Sequence, residues 1–166
     1  SCNPGTYSVS DGTNICSVCG SGKYQDQSGQ TYCKDVQAGY KKNTNSSQVE
    51  CEKGTYSDGN ADECTLCPIG TYTNSSGTVN CTTCESGKYQ DQRGQTSCKS
   101  VSPGYEQIDN KSQRICPAGK SSTGGTSQCV TCEQDTYSAA GANSCTSCGN
   151  GKYANAGSDR CYQCNL

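Results

Sequence analysis

The chain has 166 residues, 17 of them cysteine, with no His, Phe, Trp or Met and a formal net charge of −2 spread in both signs. Only 30% of the residues are hydrophobic, which excludes one large apolar core and points to a disulfide scaffold made in an oxidising, extracellular or cell-surface compartment. The weak mixed charge argues against a nucleic-acid partner, and no apolar run approaches the ~20 residues of a membrane span, so this segment is not expected to insert into a membrane. Ser1-Cys2-Asn3-Pro4 does not read as the start of a secretory signal, and the sequence is expected to be a stretch of something longer.

Taken in chain order, the cysteines divide the sequence into loops of 13 or 14 positions, each a small unit, and periodicity of this kind sets the whole fold. Unit 1 spans 2–16 and unit 2 spans 19–33. Units 4, 5 and 6 span 51–64, 67–81 and 84–98, and units 8, 9 and 10 span 116–129, 132–145 and 148–161. A further unit starts at 164–166. Where one unit follows another directly, two residues separate the closing cysteine from the next opening one, as in Cys64-Thr65-Leu66-Cys67. Three positions after the opening cysteine there is usually Gly, and two further on usually Tyr, as in Gly22/Tyr24, Gly54/Tyr56 and Gly87/Tyr89; Asp135 and Ser121 are the exceptions. A second Gly precedes the closing cysteine by four positions in most units (Gly12, Gly29, Gly77, Gly94, Gly125, Gly141, Gly157) and suits a turn of positive φ. Each unit is expected to be two short extended segments joined by a polar turn, with the Tyr ring over the disulfide or the neighbouring backbone.

The stretches 34–50 and 99–115 lack cysteine but are degenerate units, not linkers. Val36-Gln37-Ala38-Gly39-Tyr40 and Val101-Ser102-Pro103-Gly104-Tyr105 keep the Gly and Tyr, with Val in place of the opening cysteine. Counting forward 13 and 14 positions gives unbridged units 3 and 7 at 36–49 and 101–115, with Val49 and Ile115 where a closing cysteine belongs, and an apolar pair in place of the bridge. A longer period then emerges: the pattern from Cys2 to Cys64 recurs from Cys67 to Cys129, and Gly-Lys-Tyr-Gln-Asp-Gln at 22–27 returns verbatim at 87–92. The repeat is a block of four beats, three bridged and one unbridged. At the C-terminal end Cys164 stands where Val101 would predict Val.

Cys64-x2-Cys67-x13-Cys81-x2-Cys84 and Cys129-x2-Cys132-x12-Cys145-x2-Cys148 match tetrathiolate zinc spacing. Zinc, however, strands Cys2, Cys33, Cys51, Cys98 and Cys116, which lie in no CxxC. Disulfides within units, Cys2–Cys16, Cys19–Cys33, Cys51–Cys64, Cys67–Cys81, Cys84–Cys98, Cys116–Cys129, Cys132–Cys145 and Cys148–Cys161, use every cysteine except Cys164, which stays unpaired in this segment. Spacing by itself does not fix connectivity. The loss of both positions together in units 3 and 7 favours bonds inside each unit, and a loop of about 15 residues constrains the unfolded chain by roughly 3 kcal/mol on the entropic model.

Four triplets fit the N-glycosylation acceptor, at Asn45, Asn74, Asn80 and Asn110. Asn45 and Asn110 hold the same place in the two unbridged units, which sets that pair above chance. No enzyme is expected: the commonest general base is absent, and Asp26, Asp58, Asp62, Glu63, Asp91 and Asp159 sit in turn-like contexts. No cofactor is expected either, since Asp58–Glu63 lacks the spacing of a calcium loop.

The pattern C-x2-G-(T/K)-Y…G…C-x2-C, carried through 2–33, 51–98 and 116–164, resembles the ephrin-receptor-like cysteine-rich repeats found in tandem in large extracellular proteins. More distantly it is similar to the first module of tumour-necrosis-factor-receptor cysteine-rich domains. The resemblance implies small disulfide-rich repeats, an elongated solenoid or rod of hairpin-like units with no helix. Repeats of this kind serve in receptors, surface coats and extracellular filaments. The four-beat block presents the same lateral surface again and again, as regular assembly requires. The leading expectation is therefore a structural segment of a glycosylated extracellular filament or surface scaffold, mastigoneme-like. The competing one is the ligand-binding or stalk region of a cell-surface receptor, or an adhesion or surface-coat antigen. The expected partners are copies of the chain or other extracellular proteins, together with N-linked glycans.

Overall fold

The computed structural model describes residues 1–9, 15–126 and 128–164. Gly12, expected as a turn glycine, and residues 165 and 166 of the unit starting at 164 lie outside the described residues. Among the described residues there are ten two-stranded sheets and no helix, so none that could cross a membrane. The chain is a run of small disulfide-rich tandem repeats, here called beads.

In a bridged bead the strands are minimal. Thr55–Tyr56 pairs with Thr65–Leu66, with Thr55 opposite Leu66 and Tyr56 opposite Thr65. Thr and Tyr favour extended backbone, and the Gly, Asn, Asp and Ser between them favour turns. The sequence places both extended segments between the two cysteines of one loop. In the structure the second strand lies past the closing cysteine, in the two residues that precede the next opening one. The loop interior is thereby freed, and its turn is used to touch other beads.

A two-stranded hairpin this short is marginal in water on its own, so the contacts between beads decide the fold. The chain divides into two compact units, Ser1–Pro68 with Tyr72–Thr82 and Gln92–Ser97, and Ile69–Thr71 with Thr83–Asp91 and Cys98–Leu166. In the first, bead 4 is sewn to bead 5 by backbone: the Cys67 N–H donates to the Gly54 carbonyl (2.9 Å), Gly54 N–H to Thr73 (3.0 Å), Ser57 N–H to Thr78 (3.2 Å) and Gly77 N–H to Cys51 (2.8 Å). In the second, the same seam joins bead 8 to bead 9: Cys132 N–H to Gly119 (2.9 Å), Gly119 N–H to Ser138 (2.9 Å), Ser122 N–H to Ala142 (3.2 Å) and Gly141 N–H to Cys116 (2.9 Å). These bonds recruit backbone groups that two-residue strands leave unpaired.

A second contact reaches two beads on. At Gly54 (φ 80°) a Cβ would overlap the carbonyl oxygen of Gly94, and at Gly39 (φ 84°) that of Gly77. In the second compact unit Gly104 and Gly119 face the carbonyls of Gly141 and Gly157 in the same way. The first glycine of a bead is therefore fixed twice, by its left-handed backbone and by the turn pressed against it. The sequence pattern assigned positive φ only to the turn glycine. Asp135, which replaces the first glycine in bead 9, sits at φ 64°, and Asp is one of the few residues that tolerate this region.

Few positions are buried, and most are small or polar side chains or half-cystines. They include most bead openers, among them Cys51 (1% exposed), Cys67 (0%), Cys116 (0%) and both valines, Val36 and Val101 (2% each), and in most bridged beads the residue after the Tyr, such as Gln25 (0%), Ser57, Gln90 and Ser138. Apart from Tyr24, the tyrosines of the repeat are only half-buried or exposed. Gln25 explains part of the verbatim 22–27 repeat: its Nε2 donates to the Tyr32 carbonyl (2.8 Å) and its Oε1 accepts from the Gln27 N–H (3.0 Å), tying the loop to itself. Buried polar groups must be satisfied in this way.

Candidate functional site

Eight disulfides join Cys2–Cys16, Cys19–Cys33, Cys51–Cys64, Cys67–Cys81, Cys84–Cys98, Cys116–Cys129, Cys132–Cys145 and Cys148–Cys161, with Cα–Cα distances of 5.6–5.8 Å. That range is the ordinary one for an unforced bridge. Cys164 is free and exposed. In most beads the opening cysteine is buried while the closing one is half-buried or exposed, so those bridges fasten an outer position to a buried one.

The two unbridged beads differ from the sequence expectation. Val36 and Val101 are buried at the opening position, but Val49 and Ile115 are 41% and 50% exposed and form no apolar pair with them. The true counterpart of a closing cysteine lies three positions before the next opener, at Gln48 and Gln113, because Cys51 N–H donates to Gly39 and Cys116 N–H to Gly104 as every opener does to the bead before it. Gln48 Oε1 accepts from the Gln37 N–H (2.9 Å) and its Nε2 donates to Gln37 Oε1 (3.1 Å). Gln113 does the same to the Ser102 N–H (2.8 Å) and Ser102 Oγ (3.2 Å). A side-chain amide thus stands in for the disulfide, and the units end at 48 and 113, not at 49 and 115. Counting back from Cys51 and Cys116, instead of forward from the valines, was the signal that could have found it.

The hairpins of these beads are also longer. Tyr40–Thr44 pairs with Ser47–Glu50 and Tyr105–Asp109 with Ser112–Ile115, each with one register shift, after Lys42 and Gln107. Lys42 Nζ reaches back to the carbonyls of Cys19 (3.0 Å) and Gly20 (2.8 Å), and Gln107 to the Gly87 N–H and Lys88 carbonyl (2.8 Å each). Extra ladder and side-chain ties replace the covalent one.

The paired acceptor asparagines occupy the hairpin tips and carry a structural task as well. The Asn45 carbonyl accepts from the Gln25 N–H (2.9 Å) and the Asn110 carbonyl from the Gln90 N–H (3.0 Å). Each tip takes the place of a turn glycine, Asn45 lying over Gly5 and Asn110 over Gly70. Asn45 is exposed, whereas Asn110 is half-buried and donates its Nδ2 to the Gly70 carbonyl (3.3 Å). Asn74 and Asn80 are exposed on bead 5.

The carboxylates serve as ties between and within beads. Asp62, in the Asp58–Glu63 stretch, accepts from the Gly22 N–H at Oδ1 (2.8 Å) and from the Ser21 hydroxyl at Oδ2, and the Gly22 bond above all holds its pKa below the usual carboxylate range. Asp26 pairs with Lys34 (2.7 Å) and Asp91 with Lys99 (2.6 Å), the same pair at the same place in successive blocks. Lys41 pairs with Glu63 (2.7 Å) and Asp159 with Arg160 (2.7 Å). Glu106, its side chain 12% exposed, accepts from the Cys129 N–H (2.9 Å) and pairs with Arg114 (2.6 Å), which lowers its pKa in that order of cause.

Residues 54–84 match the family model described as tyrosine-protein kinase ephrin type A/B receptor-like. The match starts on the first glycine of bead 4 and stops on the opener of bead 6, taking in both Gly-Thr-Tyr strands and the Cys64–Cys67 and Cys81–Cys84 pairs. Residues 54–84 fit a cysteine-rich ephrin-receptor-like repeat. Beads outside that ephrin-receptor-like segment repeat its seam, as beads 8 and 9 do. The chain is also 29% identical, over 82% of its length, to the sushi, von Willebrand factor type A, EGF and pentraxin domain-containing protein 1 of Mus musculus, and equally to that of Rattus norvegicus. It spans 4% of the length of those relatives. With eight bridges that need an oxidising compartment, the chain is an extracellular disulfide-rich repeat region, similar to ephrin-receptor-like repeats over residues 54–84.

Proposed function

We propose that the chain is a structural segment of an extracellular glycosylated filament or surface scaffold, mastigoneme-like, whose beads assemble with copies of itself or with other extracellular proteins. The reading rests on one observation above the rest: the bead-to-bead backbone seam and the unbridged hairpin both recur with the four-beat block. Such a chain offers the same backbone frame at each block, on which a regular assembly can be built. The carboxylates described above are engaged as ties. We take Asn45, Asn74, Asn80 and Asn110 as the glycan acceptors, and expect no cofactor to be required. Negative-stain microscopy of native material should show regular fibrous or sheet-like assemblies; monodisperse short particles overturn the reading. Intact-glycopeptide mass spectrometry should find Asn45 modified.

A receptor stalk or ligand-binding region, or an adhesion antigen, is the second reading, favoured by the ephrin-receptor-like match at 54–84. It predicts a single soluble partner, captured at one bead and independent of the block period.

A further inference from the structure

The same shallow groove is built twice, once beside each unbridged hairpin, with its charge reversed. The first, about 230 Å³, is lined by Lys41, Val49, Glu50, Glu52, Thr55 and Glu63 next to Cys64. The second, about 550 Å³, is lined by Glu106, Gln107, Ile108, Arg114, Lys120 and Gln128 next to Cys129. The shared frame is the long hairpin, in the same register in both beads. On it, from one block to the next, Lys41 becomes Glu106, Val49 becomes Arg114, Thr55 becomes Lys120 and Glu63 becomes Gln128. Among the described lining residues the first groove holds three carboxylates against one ammonium, the second two cations against one carboxylate.

Internal pairing leaves each surplus facing outward. In the first groove Lys41 is taken by Glu63 (2.7 Å), and Glu50 accepts from the Tyr40 hydroxyl (3.1 Å), so the groove stays acidic, with Glu52 exposed at its edge. In the second, Glu106 is taken by Arg114 (2.6 Å) and the Cys129 N–H (2.9 Å), and the exposed Lys120 gives the basic surplus. Each groove also holds one exposed aliphatic side chain, Val49 (41%) in the first and Ile108 (56%) in the second, an apolar patch within a charged rim.

We infer that these grooves are the two halves of a self-association contact, the acidic groove of one copy of this chain receiving the basic groove of a second copy. This deepens the scaffold reading and rests on it. The occupant is argued from complementarity: both halves lie on one sequence, at one position of the block, on one backbone frame. A single contact between unlike patches is heterologous and leaves one groove of each kind free on the pair for a further copy. Opposed charges of this kind fix register and partner more than raw affinity.

The test is sedimentation velocity on the disulfide-intact chain over a concentration series at low and physiological salt, with glutamate placed at Lys120 (Lys120→Glu), lysine at Glu52 (Glu52→Lys), and both changes together. The wild type should self-associate, more weakly as the Debye length shrinks from about 30 to about 8 Å. Each single change should weaken association by about tenfold, and the double change, which exchanges the charges, should restore it. Both positions are exposed, and the mass for eight bridges checks that each variant has folded. A monomeric wild type, singles that associate like the wild type, or a double change without rescue overturns the contact. Binding of heparin that Lys120→Glu abolishes while self-association is unchanged assigns the basic groove to a polyanion, and also overturns it. Native filaments alongside unaffected singles sink this contact and leave the scaffold reading standing; absence of native filaments counts against the scaffold reading alone.

Discussion

Beads 3 and 4 adopt one topology by opposite means. Bead 4 has two-residue strands and a covalent staple, Cys51–Cys64. Bead 3 has strands of five and four residues, a buried Val36 and the Gln48 side chain bonded to Gln37 where a bridge would sit. Bead 7 repeats the arrangement with Val101 and Gln113. The staple and the longer ladder are alternative ways of holding the same corner. What the two bead types share is the seam, and the seam is what cannot be exchanged.

The comparison is broken most severely at the stacking glycine, which both bead types need. Gly54→Ala should cost about 3 kcal/mol or more, the sum of a left-handed backbone and a displaced carbonyl at Gly94. Gly125→Ala, at φ 66° and with open space where its Cβ would lie, should cost only the backbone part, about 1–2 kcal/mol. Native-state hydrogen exchange resolved by bead reads both; equal costs would remove the two-beads-on contact from the account.

Next in size is the staple itself. Cys51→Ser with Cys64→Ser should destabilise bead 4 by about 3 kcal/mol, with the beads that share no seam with it least affected. In the opposite direction, Val36→Cys with Gln48→Cys should form a ninth bridge, found as a new crosslinked peptide in non-reducing mapping. Bridging of Val36→Cys with Val49→Cys in its place would restore the forward count along the sequence.

A smaller effect belongs to the amide. Gln48→Ala should destabilise bead 3 by about 1 kcal/mol, since water replaces the lost bonds at the exposed Gln37. No change in the exchange of the Gln37 N–H would show that the amide does not stand in for the bridge.

The weakest is acid. The pKa of Asp62 is depressed in the fold by the Gly22 N–H and the Ser21 hydroxyl. Its contribution is therefore complete above the ordinary carboxylate value and is lost as pH falls through the depressed one, below about 4. Asp62→Asn should flatten that part of an acid titration of bead 2 and bead 4 stability; an unchanged titration would mean that the clamp does not hold in solution. Glu106 should behave likewise in bead 8, with the same sign.

Much of the repeat was legible because cysteine, glycine and tyrosine each answer a local demand. Cysteine spacing marks the loops, Gly29 and Gly94 mark turns at φ 70°, and the lack of large apolar residues rules out a common core. Gln48 escaped because the count ran forward from Val36; its place three positions before Cys51 was visible, but a glutamine's bonding role shows only when its partner Gln37 is known. The first glycine was visible but its reason was not: the carbonyl that Gly54 faces belongs to Gly94, two beads further along the chain. Asp135 was the local hint that positive φ was required there.

What the sequence by itself determined is the class of fold, its beat and its compartment, because loop length, turn residues and oxidised sulfur all act over short stretches of chain. What only the tertiary structure decided is which beads touch, which strand pairs with which, and which charges are left facing outward. Those depend on backbone groups common to all residues, and they acquire identity only when the stack brings two distant segments together.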